Sequence, residues 1–142
     1  MRDARRIEQS QPNSRPALSL LGFCFFHLGQ FEAAAGMYER LVRLVPGHSD
    51  YLMNQAQALC KAGMYQEAFK VSMGLPQQAL QTVHLQAAIR FHEGNVGACR
   101  QLLDKCPQEE PEVIINTACC HFLEGQYEDC LLYTSDAADD RV

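Results

Sequence analysis

The chain has 142 residues, 47% of them apolar, and a net charge of -5 at pH 7. Its length suffices for one domain, and no apolar run approaches the roughly 20 residues that a membrane-spanning helix needs. Residues 1–71 carry eight Lys and Arg against six Asp and Glu, and residues 72–142 carry four against eleven. We therefore expect no nucleic-acid partner, because phosphate contacts require a basic surface. The polar N-terminus lacks an apolar signal core, and seven cysteines without one indicate a reducing compartment.

The stretch from Leu18 to Pro46 sets the pattern for the rest of the chain. Apolar residues recur three and four apart over residues 18–25 and again over residues 34–41, which predicts two helices with one apolar face each. Gly29 interrupts the pattern between them, and Pro46 closes the unit. We expect Gly22 to let the two helices approach closely. Residues at these offsets are typical of the tetratricopeptide repeat, a helical hairpin.

The helix-breaking glycine returns at Gly63, Gly94 and Gly125, at intervals of 34, 31 and 31 residues. Losing three residues is close to one helical turn, so we expect the second helices of the later repeats to be short. Pro76 ends one of them early. The pattern predicts helices at about 16–28, 31–44, 50–61, 65–73, 79–92, 96–105 and 111–124.

The predicted fold is an all-α tetratricopeptide-repeat α-solenoid, a right-handed superhelix of helical hairpins. We expect residues 1–14 to end a truncated repeat, residues 15–48, 49–79 and 80–110 to form repeats, and residues 111–130 to begin another. Residues 131–142 do not continue the pattern and resemble a translated sequencing adaptor, so we expect a non-native tail without function. A solenoid cut inside repeats would expose apolar end faces, which predicts marginal stability or self-association.

The first helix of each hairpin lines the inner surface of such a superhelix. The residues expected to face it follow a four-then-three spacing, are mostly apolar or aromatic, and include few charges. An apolar surface of this kind indicates binding of an extended or helical segment of another protein. The alternative, equally open for any single aromatic residue, is packing between repeats. The candidate partner-binding residues are Ser19, Phe23, Phe26 and His27; Met53, Gln57, Cys60 and Lys61; His84, Ala88, Phe91 and His92; and Ile115, Cys119 and Phe122.

The cysteines and histidines form no metal-binding or catalytic pattern. Cys99 and Cys106 are seven residues apart and are expected to share a helix face, whereas the side chains of the consecutive Cys119, Cys120 and His121 diverge. The sequence contains no pair of C-x2-C motifs of the kind that structural zinc uses. We expect the thiols to act as small apolar fillers, and we expect no metal, no cofactor and no enzymatic activity.

Three runs resemble one family beyond the generic repeat. They are SRPALSLLGFCFF at residues 14–26, YLMNQAQALCKA at residues 51–62 and LQAAI at residues 85–89. Together they are similar to the tetratricopeptide repeat protein 30 family, also called the intraflagellar transport 70 proteins. The resemblance covers about residues 10–130 and implies a place in the N-terminal part of a much longer protein.

The resemblance implies a non-catalytic scaffold subunit of the intraflagellar transport B complex, located in the cilium, at its base and axoneme, and in the cytoplasm. Its superhelix would close around an extended segment of a neighbouring subunit, without nucleic acid or membrane insertion. It further implies a role in cilium assembly, intraciliary transport and polyglutamylation of axonemal tubulin. The alternative is a generic cytosolic adaptor or co-chaperone for short acidic peptides, which the scarcity of Lys and Arg on the inner surface disfavours. The positions expected to grip the partner are Phe23, Phe26, Met53, Gln57, His84 and Phe91.

Overall fold

The computed structural model describes residues 5, 6, 9–11 and 13–125, so the predicted non-native tail and the end of the last repeat lie outside the described residues. The described part divides into two compact units, one up to Leu85 and one from Gln86 onward. Between residues 13 and 125 it consists of α-helices joined by short turns, without a strand. The helices are α1 (Arg15–His27), α2 (Phe31–Leu44), α3 (Ser49–Lys61), α4 (Tyr65–Ser72), α5 (Leu80–His92), α6 (Val96–Leu103) and α7 (Pro111–Leu123).

These seven helices lie where the repeat pattern predicts them, and their ends differ from the prediction by at most two residues. The second helices of the later repeats, α4 and α6, have 8 residues each, against 14 in α2. The all-helical fold of tetratricopeptide hairpins is therefore confirmed. None of the helices in the described part is long and apolar enough to cross a membrane.

The first hairpin packs through the residues that set the repeat pattern. An ideal Cβ built on Gly22 of α1 would lie 2.9 Å from Cζ of Tyr38 in α2, so the absence of a side chain at Gly22 lets the ring fit there. Burial raises the pKa of the Tyr38 hydroxyl above its ordinary value. The core of this hairpin consists of the buried Leu18, Leu21 and Phe25 of α1 and Ala34, Tyr38 and Leu41 of α2.

One turn geometry joins the two helices of each hairpin. Gly29 has a φ of 78°, in the left-handed region that favours glycine, and the N–H of Gln30 donates to the carbonyl of Phe25 at 2.8 Å. The same bond recurs after Gly63 and Gly94, at 2.9 Å each time. The regular spacing of these glycines therefore has a backbone cause, since the bond closes the last turn of the first helix in each hairpin.

A glutamine closes the short second helices. The Gln77 side chain donates from Nε2 to the carbonyls of Ser72 and Leu75, at 2.9 and 2.7 Å. Gln108, 31 residues later, donates in the same way to the carbonyls of Leu103 and Cys106, at 3.1 and 2.7 Å. Both glutamines follow a proline, so each Pro-Gln pair ends a helix and satisfies carbonyls that the helix leaves open.

In the second unit, residues of α5, α6 and α7 form a buried cluster. The buried Ala87, Cys99, Leu103 and Cys120 form a cluster, with Phe91, Val96 and Leu102 packed partly buried against it. At the edge of this core an ion pair joins Arg100 of α6 to Glu124, which follows α7, at 2.5 Å. The cluster and the ion pair therefore hold α6 against α7, the first helix of the following repeat.

Candidate protein-binding surface

The side of α1 that was predicted to line the inner surface presents an exposed aromatic pair. Phe23 is 57% exposed, and its ring lies 4.2 Å from that of His27 between centroids, one helical turn further on. His27 and the predicted Ser19 are also exposed. Three of the predicted residues of α1, namely Ser19, Phe23 and His27, are therefore accessible to solvent.

Phe26 makes an intramolecular contact that the sequence pattern does not predict. It is half-buried, and its ring packs edge-on against Phe31, the first residue of α2, with centroids 5.2 Å apart. Phe91 of α5 is also half-buried, and it packs against the core of the second unit. Both aromatic rings therefore take part in intramolecular packing and remain partly accessible, and their role in partner binding stays a prediction.

The inner side of α3 mixes half-buried and exposed residues. Met53 and Cys60 are half-buried, and Gln57 and Lys61 are exposed. Burial raises the pKa of the Cys60 thiol above its ordinary value, and the charge of Lys61 opposes that change. Cys60 therefore remains a neutral thiol at physiological pH, and this side of α3 offers one cation, Lys61.

A cluster around Tyr51 joins α1 to α3 and was missed by the sequence analysis. Arg15 donates from Nη2 to the Tyr51 hydroxyl at 3.1 Å, with its guanidinium 5.8 Å from the ring centroid. The imidazole of His48 stacks on the same ring at 4.0 Å. Arg15 and Tyr51 lie in the sequence runs that carry the family resemblance, but their spacing along the chain does not predict that they contact each other.

The remaining candidates lie on α5 and α7. His84, at the end of the first unit, is half-buried. In the second unit Ala88, His92 and Cys119 are exposed, and Ile115 and Phe122 are 61% and 53% exposed. None of the predicted partner-binding residues is fully buried. Within each unit they remain available for binding, and the assignment of that role stays a prediction.

The prediction that the thiols act as buried fillers fits three of the six cysteines in the described part of the chain. Cys99, Cys106 and Cys120 are buried, whereas Cys119 is exposed. The predicted shared helix face of Cys99 and Cys106 is wrong, because α6 ends at Leu103 and Cys106 lies in the following turn. The Sγ atoms of Cys99 and Cys120 lie 3.5 Å apart, and burial, aided by this contact, raises the pKa of Cys99 to about 12. Across the described residues, no three His, Cys, Asp or Glu side chains are grouped as metal ligands.

Comparisons with known proteins identify the repeat and its relatives. The family model of the tetratricopeptide repeat matches residues 17–48. Intraflagellar transport protein 70A of Xenopus tropicalis is 40% identical over 123 residues, which cover 85% of this chain and 19% of that protein. Intraflagellar transport protein 70B of Homo sapiens is 39% identical, covering 84% and 20% respectively. The tetratricopeptide repeat protein 30 homolog of Caenorhabditis briggsae is 37% identical, covering 96% and 22%.

Among solved structures, MamA 41-end from Desulfovibrio magneticus RS-1 superimposes with a TM-score of 0.75 at 13% sequence identity, covering 97% of this chain and 81% of that one. At this identity the likeness shows the fold alone. The sequence relatives are more informative, although this chain spans only about a fifth of their length. The predicted resemblance is confirmed: over most of its length, the chain is a relative of the tetratricopeptide repeat protein 30 and intraflagellar transport 70 family.

Proposed function

We propose that this chain is part of a non-catalytic scaffold subunit of the intraflagellar transport B complex, and that the inner sides of its first helices bind an extended segment of a partner subunit. The observation that carries the proposal is the 37–40% identity to proteins named intraflagellar transport protein 70 or tetratricopeptide repeat protein 30 homolog. Tetratricopeptide hairpins supply a binding scaffold, and no catalytic motif accompanies them in the sequence.

The chemistry of the exposed residues supports an apolar partner segment. Phe23 is 57% exposed, and covering a Phe side chain contributes on the order of 1.5 to 3 kcal/mol when burial is complete. His27 beside it offers an imidazole that donates or accepts hydrogen bonds from the backbone of an extended segment. A segment with regularly spaced apolar side chains therefore fits this surface better than a highly charged one.

The proposed cellular role rests on the same sequence identity. The protein would act in the cilium, at its base and along the axoneme, and in the cytoplasm, where transport particles assemble. Cilium assembly and intraciliary transport would depend on it, and polyglutamylation of axonemal tubulin would depend on it through transport. No cofactor, metal, nucleic acid or membrane insertion enters the proposal.

The test uses the complete protein that contains this region, carrying Phe23→Asp, in pull-downs of intraflagellar transport B subunits from ciliated cells. We expect recovery of at least one subunit to fall about tenfold or more, because a carboxylate replaces the exposed ring. Phe91 is left unchanged, since it packs against the core of the second unit. The matched control is Met73→Asp, because Met73 is 56% exposed, directly follows α4 and lies outside the predicted set. Equal recovery with wild type and Phe23→Asp would contradict the proposal.

The second candidate function is a co-chaperone that binds short acidic peptides. It predicts micromolar, salt-sensitive binding of a peptide ending in several carboxylates. Lys61 is the one Lys or Arg among the predicted inner residues, so a clamp for a terminal carboxylate lacks its cations. Binding of such a peptide with a dissociation constant below about 10 μM would favour this second function.

A further inference from the structure

A groove lies on the side of α3 opposite Met53 and Gln57, and we call it the outer groove. Residues of α2 and α4 form its walls and residues of α3 its floor, and it encloses a volume of about 820 Å³ within the first unit. On the floor, Leu52 is half-buried and Leu59 buried, about one and three helical turns from the start of α3. Val42 of α2 and Val71 of α4 contribute further half-buried apolar surface. Apolar side chains therefore form much of the floor of the outer groove and remain partly accessible, whereas charged side chains line its edges.

Gly36 makes one wall unusual. It lies in the middle of α2 and lines the outer groove, and an ideal Cβ built on it has no heavy atom within 4 Å. A glycine inside a helix lowers its stability relative to alanine, and one reason for a glycine there is the space that it leaves for a packing neighbour. Gly22 has such a reason in the ring of Tyr38, whereas no neighbour in the described residues supplies one for Gly36. Close approach of another backbone would supply it.

The rims of the outer groove are acidic. Glu32 and Glu39 of α2 and Glu67 of α4 line it, with Lys70 as the cation among the lining residues. Within the part of the chain that the structure describes, Glu32 and Glu67 are exposed and make no ion pair. Glu39 pairs with the exposed Arg43 at 2.6 Å. An unpaired carboxylate therefore stands on each wall.

We propose that the outer groove binds a short basic amphipathic helix of a partner protein. The apolar floor would receive the apolar face of that helix, and Gly36 would let its backbone approach α2 closely. Lys or Arg side chains at its flanks would pair with Glu32 and Glu67, one on each wall. The α2 wall has 14 residues and is about 20 Å long, enough for three to four turns of an occupant helix. The proposal does not depend on the function proposed for the inner surface.

The probe is a fluorescent 14-residue helical peptide with Leu and Ala along one face and Lys on both flanks. Its control is an acidic twin with Glu in place of each Lys. Fluorescence anisotropy with the full chain measures both dissociation constants at low and at physiological salt. We expect the basic peptide to bind at least tenfold more tightly than its twin, and the difference to shrink as salt rises. Equal binding of the two peptides would overturn the proposal.

Charge reversal locates the binding site. Glu32→Lys combined with Glu67→Lys is expected to weaken binding of the basic peptide at least tenfold and to strengthen binding of the acidic twin. The matched control is Glu109→Lys with Glu112→Lys, two exposed carboxylates of the second unit, and we expect its affinity to stay within twofold of wild type. Phe23→Asp should also stay within twofold, which separates this test from that of the inner surface. If both charge-reversed variants weaken binding equally, the peptide does not bind in the outer groove.

Gly36→Ala gives the second, independent readout. The added methyl should raise the melting temperature, because the helix gains propensity, and should weaken binding of the basic peptide at least threefold. Gly97→Ala is the control, since Gly97 of α6 also has open space around an ideal Cβ but lies in the second unit. If Gly36→Ala leaves the affinity for the basic peptide unchanged, the backbone of the peptide does not approach Gly36 closely, and this part of the proposal is overturned. Sedimentation tests whether the chain forms dimers as its concentration rises. If it does, and if Gly36→Leu abolishes these dimers, the outer groove binds a second copy of the chain and the proposal is overturned.

Discussion

At the scale of single residues, Gly22 and Gly36 lie in neighbouring helices but have different surroundings. Gly22 has the Tyr38 ring where its Cβ would be, with three ring atoms between 2.9 and 3.2 Å away. The repeat pattern predicts this role, because the two helices of a hairpin must approach closely there. Gly36 lies outside the repeat pattern, so its position on the outer groove became visible only in three dimensions.

Gly22→Ala is expected to destabilise the protein by about 1 to 3 kcal/mol, because the new methyl would overpack against a buried ring. Urea unfolding followed by circular dichroism measures the change. Shortening the ring with Tyr38→Leu in the Gly22→Ala background should recover part of the loss relative to the sum of the single variants. A neutral or stabilising Gly22→Ala would show that the helices are free to move apart.

The buried thiol of Cys99 predicts a pH dependence of stability. Its pKa rises from an ordinary value near 9.0 to about 12 in the folded protein, because burial disfavours the thiolate. Its contribution to stability is therefore complete below pH 9 and is lost as the pH rises from 9 toward 12. Urea unfolding at pH 8 and pH 10.5 should show a larger loss for wild type than for Cys99→Ala. Equal losses would mean that Cys99 ionises alike in both states.

At the scale of elements, the helix ends were predicted well because the turn glycines and prolines mark them. The end of α6 was predicted at about residue 105 but lies at Leu103. Pro107 disfavours helical backbone in the residue before it, and Gln108 satisfies the carbonyls of Leu103 and Cys106. The Pro-Gln pairs at residues 76–77 and 107–108 were visible in the sequence, and their 31-residue spacing was a signal that could have found these caps.

Gln77→Ala is expected to cost about 1 to 2 kcal/mol of stability, because two carbonyls at the end of α4 lose their donor. The matched control is Gln78→Ala, an exposed neighbour, whose effect should stay within about 0.5 kcal/mol. Both are measured by urea unfolding of the full chain. Indistinguishable effects of the two variants would show that water replaces the Gln77 side chain without cost.

At the scale of the whole molecule, the chain divides into two compact units, and the candidate surface within each could be predicted only in part. The four-then-three spacing identifies which side of a first helix faces away from its partner, so Phe23 and Ile115 were predicted to be accessible and are exposed. The spacing does not show that Phe26 also packs on Phe31, because that contact depends on the turn angle. The outer groove was missed because its walls come from two different repeats.

Leu103→Ala is expected to act locally. Leu103 is fully buried in the core of the second unit, and its truncation should cost about 2 to 5 kcal/mol. Because repeat proteins gain stability from nearest neighbours, hydrogen exchange should accelerate in α6 and α7 while α1 and α2 remain protected. Leu41→Ala, which removes a buried side chain of the first unit, should accelerate exchange in α1 and α2 first. Uniform acceleration with either variant would instead indicate a single cooperative unit.

The two glutamine caps have a consequence for changing the number of repeats in such a chain. Because Gln77 and Gln108 end their helices with the same two bonds, a cut after either one leaves the same local geometry. A block of 31 residues is therefore a module that duplication or loss can add or remove without creating a new junction.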